Sequence, residues 1–260
     1  MSEELVLLEV SEEIATVTIN RPKAMNALNP DVLKKLREVL GECRKRDDVG
    51  VIIITGAGDK SFVAGADIAA MKDFSPMEAM AFAELGQSVF GLIERIPKCV
   101  IAAVNGYALG GGTELAVSCD IVLASEKARF GTPEVNLGVF PGFGGTQRLT
   151  RILGKARAKE VIFTGEMFDA ARALAIGLIN RICTPEELME EAKNLAQTIM
   201  TKGPVAVALA KQSIESGYDM DLDKALLIER TLFAQCFDTE DQKEGMSAFV
   251  DKRDPDFKGK

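Results

Sequence analysis

Cys99-Val100-Ile101-Ala102-Ala103-Val104, then Asn105-Gly106-Tyr107-Ala108-Leu109, then Gly110-Gly111-Gly112-Thr113-Glu114-Leu115-Ala116, carries the strongest structural pattern in the chain. Its first six residues are apolar without interruption, the pattern of a short strand buried on both faces. The glycines that follow lead straight into a helix-compatible run. Outward from here, Val51–Thr55 and Ile121–Ala124 are apolar runs of the same kind. Leu5–Val10 and Ile14–Ile19, separated by Ser11-Glu12-Glu13, read as a hairpin whose first strand begins directly after Met1-Ser2-Glu3-Glu4. Asn29-Pro30 predicts an N-cap with proline at the first helical position. Val32, Leu33, Leu36, Val39 and Leu40 predict the stripe of that helix, which ends near Arg44–Asp48. Ser75-Pro76-Met77-Glu78 is a capping box that opens a helix to about Ile96.

After roughly Gly144 the strands are expected to stop. Thr184-Pro185-Glu186-Glu187 and Thr239-Glu240-Asp241-Gln242 are further capping boxes, and helices are expected over most of Thr184–Lys252. Strands alternating with helices, followed by a run of helices, predict an α/β core over 1–195 and an α-helical C-terminal region over 196–260. The chain shows no linker, internal repeat or low-complexity segment. The apolar faces of the tail should therefore cover the core or a neighbouring subunit.

Composition removes several chemistries. There is no His among the 260 residues, so a His-based triad or zinc site is impossible and proton transfer falls to carboxylates, Lys, Cys or Tyr. The five Cys are widely spaced with no C-x-x-C pair, which argues against a disulfide framework or metal knuckle and for reduced thiols. A formal net charge of -8 argues against coating a nucleic acid. No apolar run is long enough to span a bilayer and no leader pattern precedes the first strand, so the expectation is a cytoplasmic protein without membrane association.

Three segments could carry chemistry. Phe62-Val63-Ala64-Gly65-Ala66-Asp67-Ile68 joins a strand to a helix with small residues that admit a ligand to the backbone. Gly56-Ala57-Gly58-Asp59-Lys60-Ser61 before it fails the spacing of both phosphate-loop and dinucleotide motifs. Gly110–Ala116 makes a helix N-terminus whose free N–H groups suit an oxyanion, with Glu114 in its first turn. Phe130-Gly131-Thr132-Pro133-Glu134 and Gly138–Thr146 place a second Glu in a Gly/Pro-rich loop among apolar residues, where burial would raise its pKa. Taken singly, Glu114 serves a helix dipole as well as it serves catalysis, and Glu134 could be a solvated loop residue. The combination of two carboxylates with two Gly-rich N–H donor segments is what points to a site.

These segments together resemble the crotonase superfamily, and within it the enoyl-CoA hydratases. The resemblance runs from Asn20-Arg21-Pro22-Lys23-Ala24-Met25-Asn26-Ala27-Leu28 through Ala64–Ile68, Ala102–Gly112, Pro133-Glu134 and Pro141–Arg148 to Ala248–Arg253. It implies an α/β crotonase (ClpP-like) fold of repeated ββα units with a helical C-terminal region, assembled as a trimer or a dimer of trimers. It also implies an acyl-CoA thioester substrate, with coenzyme A part of that substrate and neither a separate cofactor nor a metal.

By the same resemblance, the N–H groups of Ala66 and Gly111 hold the thioester oxygen. Glu114 acts as base on the added water and Glu134 protonates the α-carbon. Gly142 supplies an N–H that fixes this group, and Ala64, Asp67 and Ile68 belong to the substrate-binding segment. Lys23 and Lys252 approach the coenzyme A phosphates, Lys252 from a neighbouring subunit. Phe140, Phe143, Met71 and Phe249 are candidates to line the acyl pocket. Thr113 stands where relatives often have Cys, Thr132 where they often have Gln, and Ala69 where some have a phosphate-contacting Lys. The expected activity is reversible hydration of a short trans-2-enoyl-CoA in fatty-acid β-oxidation chemistry. A Δ3-Δ2 enoyl-CoA isomerase, which can run on one carboxylate, is the nearest alternative. A non-catalytic RNA-binding relative is the reading from another class, and the acidic balance speaks against it.

Overall fold

Alternate residues of the central apolar runs face opposite sides of one sheet, and both sides are covered, which is why the runs carry no charged position. The computed structural model describes residues 4–260. β1 (Val6–Ser11) and β2 (Ile14–Ile19) pair antiparallel as the predicted hairpin, and Met1, Ser2 and Glu3 ahead of it lie outside the described residues. Its turn places Glu12 and Glu13 at φ 52° and 60°, the left-handed pair of a type I′ hairpin, here without the usual Asn or Gly.

α1 (Pro30–Lys45) follows, with the Asn29 side chain accepting from Val32 N–H at 2.9 Å as the predicted cap. Then come β3 (Val51–Gly56), β4 (Ser61–Ala64), α2 (Ile68–Met71) and α3 (Pro76–Arg95), whose Ser75–Glu78 capping box is formed in both directions. β5 (Cys99–Val104), β6 (Tyr107–Leu109) and α4 (Gly111–Ala116) repeat that order, as do β7 (Ile121–Ser125), β8 (Arg129–Gly131), α5 (Gly145–Leu153) and α6 (Lys155–Thr164). The remainder is β9 (Phe168–Asp169), α7 (Ala170–Ala175), β10 (Arg181–Cys183), α8 (Leu188–Met200), α9 (Pro204–Gly217), α10 (Leu222–Cys236) and α11 (Glu240–Asp251).

Each repeat sends its first strand to one sheet and its second to another. The larger sheet has the order β1-β2-β3-β5-β7-β10 and the smaller β4-β6-β8-β9. Beyond the first hairpin the larger sheet is parallel, and β4, β6 and β8 are parallel neighbours in the smaller one. These are the expected ββα units.

The expectation that strands end near Gly144 is corrected by β9 and β10. Both are too short to show a period, and they exist because Phe168 pairs with Phe130 and Cys183 with Ser125 on strands already laid down. Tertiary pairing, not local pattern, makes them.

Ile52, Ile54, Val100, Ala102 and Val104 point into the main core with Leu33, Leu36 and Phe90. Val51, Ile53, Cys99, Ile101 and Ala103 point to the other face, where Leu188, Ala192 and Ala196 of α8 cover them. The expected boundary at 195/196 thus falls inside a helix that packs on the sheet. The sparsely buried part of the chain begins at α9. Across α9, α10 and α11 the buried residues are Leu232, Asp241 and Ala248, while Leu222, Phe233, Phe249 and Val250 are exposed. Lys211 ties α9 down, its Nζ meeting Asp120 Oδ2 at 2.7 Å and the carbonyls of Ile93 and Lys98 at 2.9 and 3.1 Å. Neither late capping box closes in full: Thr184 accepts Glu187 N–H and donates its hydroxyl to the Glu187 carboxylate in a turn ahead of α8, and Thr239 accepts Gln242 N–H while the Gln242 amide turns to Met246. Among the described residues no helix is long and apolar enough to cross a membrane.

Candidate active site

β4, β6 and β8 end side by side, with Ala64 opposite Leu109 and Leu109 opposite Gly131. The three segments singled out in the sequence therefore leave the C-terminal ends of three adjacent parallel strands, the place where open parallel sheets bind ligands.

The first segment is held from one side by Met25–Leu28. Ala64 N–H donates to the Met25 carbonyl at 3.0 Å, Leu28 N–H to Gly65 at 2.9 Å, and Asp67 N–H to Leu28 at 2.8 Å. In such a parallel bridge the neighbours carry the bonds and Ala66 turns its own N–H the other way. Arg21 fastens the far end, with Nη2 on Asp67 Oδ2 at 3.0 Å and Nη1 on the Ala27 carbonyl at 2.6 Å. Asn26 is fully buried in the left-handed region at φ 58°, and its amide donates to the carbonyls of Ala57 and Ser61. The sequence reading gave Arg21 and Asn26 no role. A buried Asn beside small apolar residues, able to adopt a positive φ, was the available signal.

The second segment starts with Gly110 at φ 50°, its N–H on the Gly131 carbonyl at 2.8 Å. Gly111 opens α4, so its N–H has no partner within the helix. Gly112 is required by proximity, because a Cβ there would run into the Val63 carbonyl. Thr113, fully buried, donates to the Ala108 carbonyl at 2.6 Å and receives Gly131 N–H at 3.3 Å, bracing the glycine run against β8. Thr132 is buried as well and reaches the Val161 carbonyl at 3.3 Å.

Glu114 is 1% exposed, and its Oε1 accepts the N–H groups of Phe143 at 2.8 Å and Gly145 at 2.6 Å. Burial pushes its carboxyl up to about 8, with the Glu134 charge adding to the rise and the two N–H donors and Arg148 opposing it. The donors to Glu114 are Phe143 and Gly145, and Gly142 beside them offers its carbonyl to Gln87 Nε2 at 2.8 Å. The readable signal was the Gly144-Gly145 pair, where the N–H groups of Phe143, just before α5, and Gly145, its first residue, turn onto a carboxylate.

Glu134 lies in a 3₁₀ turn over Pro133–Leu137, one oxygen packed on Gly110 and the other, Oε2, buried with no hydrogen-bond partner. Burial pushes it up to about 7. Ala64, Asp67 and Gly142 are half-buried, and Ile68 is 47% exposed. Lys23 and Lys252 are exposed, Lys252 as the left-handed cap of α11. Among the proposed lining residues Phe143 is buried against Phe82 and Phe90, while Phe140 and Phe249 are exposed at 67% and 85%.

The sequence profile of the enoyl-CoA hydratase/isomerase family matches residues 9–260. The chain is 54% identical to a short-chain-enoyl-CoA hydratase of Clostridium acetobutylicum over 248 residues, 95% of each chain. It is 51% identical to a crotonyl-CoA hydratase of Syntrophomonas wolfei, covering 99% of each. A crystal structure of an enoyl-CoA hydratase from Bacillus anthracis superposes with a TM-score of 0.95 at 36% identity, covering 99% of this chain and 100% of that one. The chain belongs to the enoyl-CoA hydratase/isomerase family.

Proposed function

We propose that this hydro-lyase adds water reversibly across the double bond of short trans-2-enoyl-CoA thioesters such as crotonyl-CoA, giving the 3-hydroxyacyl-CoA by syn addition. The observation that carries the reading is the pair of Glu114, buried, and Glu134, half-buried, in the segments that follow neighbouring strands β6 and β8. Two N–H groups, on Ala66 and Gly111, leave the same sheet end. The names of the two relatives above 50% identity support the short acyl chain.

In this reading the thioester oxygen sits between the Ala66 and Gly111 N–H groups, which stabilise the enolate-like charge that develops as water attacks. Losing one such donor costs about 3 kcal/mol of transition-state stabilisation. Glu114 takes the proton from water, helped by the two N–H bonds on Oε1 that favour its charged form. Glu134, whose Oε2 has no donor to stabilise a charge, delivers the proton to the α-carbon. The two titrate as one coupled pair that holds a single proton near neutrality; values of about 8 for Glu114 and about 7 for Glu134 leave it on Glu114 in the free protein, so the reaction requires it to pass to Glu134 when substrate and water bind. Coenzyme A is part of the substrate. Lys23, and Lys252 of a neighbouring subunit, would meet its phosphates. The exposed apolar side chains of α10 and α11, Leu222, Phe233, Phe249 and Val250 among them, would be covered in a homotrimer or a dimer of trimers.

The test is the ultraviolet absorbance of the conjugated enoyl thioester when purified protein meets crotonyl-CoA, repeated with longer chains. Rapid loss that disappears in Glu134→Gln is expected. An unchanged absorbance at every chain length would sink the hydratase reading and turn attention to 3-enoyl-CoA isomerisation.

A further inference from the structure

The loop that holds Glu114 is unlike the rest of the site. Ala64–Ile68 and Gly110–Gly112 continue strands, whereas Phe143–Gly145 follows the exposed Val139 and Phe140 and is anchored by no sheet. Beside the packing of Phe143 on Phe82 and Phe90 and the Gln87 bond to the Gly142 carbonyl, it is held by a side chain of the helix it begins. Arg148 of α5 donates from Nη1 to the Phe143 carbonyl at 3.0 Å, while Nε and Nη2 fork onto the two oxygens of Glu94 of α3, the latter at 2.9 Å. Phe143 is therefore gripped at both backbone groups, its N–H by Glu114 and its C=O by Arg148. The guanidinium lies over Gly144, at φ +110°, where any Cβ would strike Nη1. Both ends of the pair are largely buried, with Arg148 at 16% and Glu94 at 27% side-chain exposure.

We propose that Arg148, oriented by Glu94, is a positioning residue for the reaction, setting the Phe143–Gly145 loop and through it the attack geometry of the Glu114 carboxylate. The inference rests on the reading of Glu114 as base. Only a planar fork can serve the Glu94 carboxylate with two donors and still reach the Phe143 carbonyl with a third, so lysine is no substitute. The alternative, a staple joining α3 to α5 for stability alone, would leave catalysis per folded molecule untouched. The charged groups that bear on Glu114 are Glu134, from the turn after β8, and Arg148, from α5. Those that face Arg148 are Glu94 of α3 and, from α9, Glu215.

The experiment measures crotonyl-CoA hydration for the full-length wild type and for Arg148→Gln, Arg148→Lys and Glu94→Gln, each corrected for folded fraction by circular dichroism. Displacing a catalytic group by about 1 Å costs about 100-fold, so Arg148→Gln should lose about that much kcat with KM little changed. The acidic limb of its kcat/KM profile should move to higher pH, because the base loses a neighbouring cation. Arg148→Lys should keep the limb in place and recover only part of kcat. Glu94→Gln leaves the arginine present but undirected and should fall between, which keeps the test valid if Arg148→Gln fails to fold. Wild-type kcat in folded Arg148→Gln or Glu94→Gln, or a kcat loss with an unmoved pH limb in Arg148→Gln, would overturn the proposal alone. A folded wild type without hydration of any enoyl-CoA would overturn the reading on which it rests as well.

Discussion

Glu114 and Glu134 are two carboxylates close enough for one charge to raise the other, with opposite support. Glu114 stands on a helix, is almost completely buried, and receives two backbone N–H groups on one oxygen. Glu134 stands in a 3₁₀ turn, packs one oxygen on a glycine and leaves the other without a partner. Burial raises both, Glu114 to about 8 and Glu134 to about 7, and the Phe143 and Gly145 N–H groups oppose the rise at Glu114. Backbone donors alone thus set two residues of one type apart in a chain with no histidine, and in the proposed reaction that contrast divides base from acid.

The largest expected effect breaks the pair. Glu114→Gln and Glu134→Gln should each lower kcat for crotonyl-CoA by about 1,000-fold, the scale of losing a positioned acid or base. The comparison is sharpened by α-proton exchange in deuterated water, using a saturated acyl-CoA on which no water adds. Exchange should vanish in Glu134→Gln and persist in Glu114→Gln. The reverse pattern would exchange the two roles. The wild-type kcat/KM profile should be bell-shaped with its maximum where the pair holds one proton, near pH 7 to 8 given values of about 8 and about 7.

A smaller effect acts on Glu134 alone. Gly110→Ala would place a methyl against the Glu134 carboxylate and force a non-glycine residue to φ 50°, ψ −119°. A loss of about 2 kcal/mol in stability and about 30-fold in kcat is expected, from strain and from a displaced acid. Gly41→Ala, in open space on α1, should cost nothing and stabilise by up to about 1 kcal/mol. Equal outcomes for the two glycines, followed by melting and by turnover, would mean that Gly110 does not shape the acid's seat.

Much of this contrast was legible before the structure. The apolar runs announced strands covered on both faces, and the glycines before Glu114 announced a helix N-terminus. Asn29 and Ser75 announced helix starts because capping is local chemistry written in a few neighbouring residues. The features that stayed illegible are those made by pairing across the chain. β9 and β10 exist only against β8 and β7. The donors to Glu114 come from residues about thirty positions away in the sequence. Arg148 was visible only as part of a motif, since nothing local says that it folds back on Phe143 while reaching α3. The C-terminal helices were legible as helices, yet their apolar faces do not complete the core of their own chain.

A last effect reads the unpartnered oxygen through stability rather than rate. Glu134 is raised from 4.5 to about 7 in the folded protein, so the native state binds its proton more tightly than the unfolded chain does. For a carboxylate raised in this way, the favourable contribution is complete below pH 4.5 and is lost as pH climbs through about 7. Glu134→Gln keeps the shape without the charge. It also relieves Glu114, which the Glu134 charge helps to raise, so both consequences have the same sign. The variant should match the wild type in thermal melts near pH 4 and exceed it by about 2 kcal/mol at pH 9, a fraction of the full shift because the carboxyl is not wholly buried. For a chain of this size that corresponds to about 4 to 8 °C in Tm. A Tm difference independent of pH would mean that in solution Glu134 finds a donor for Oε2, and the asymmetry between the two glutamates would then have to arise elsewhere.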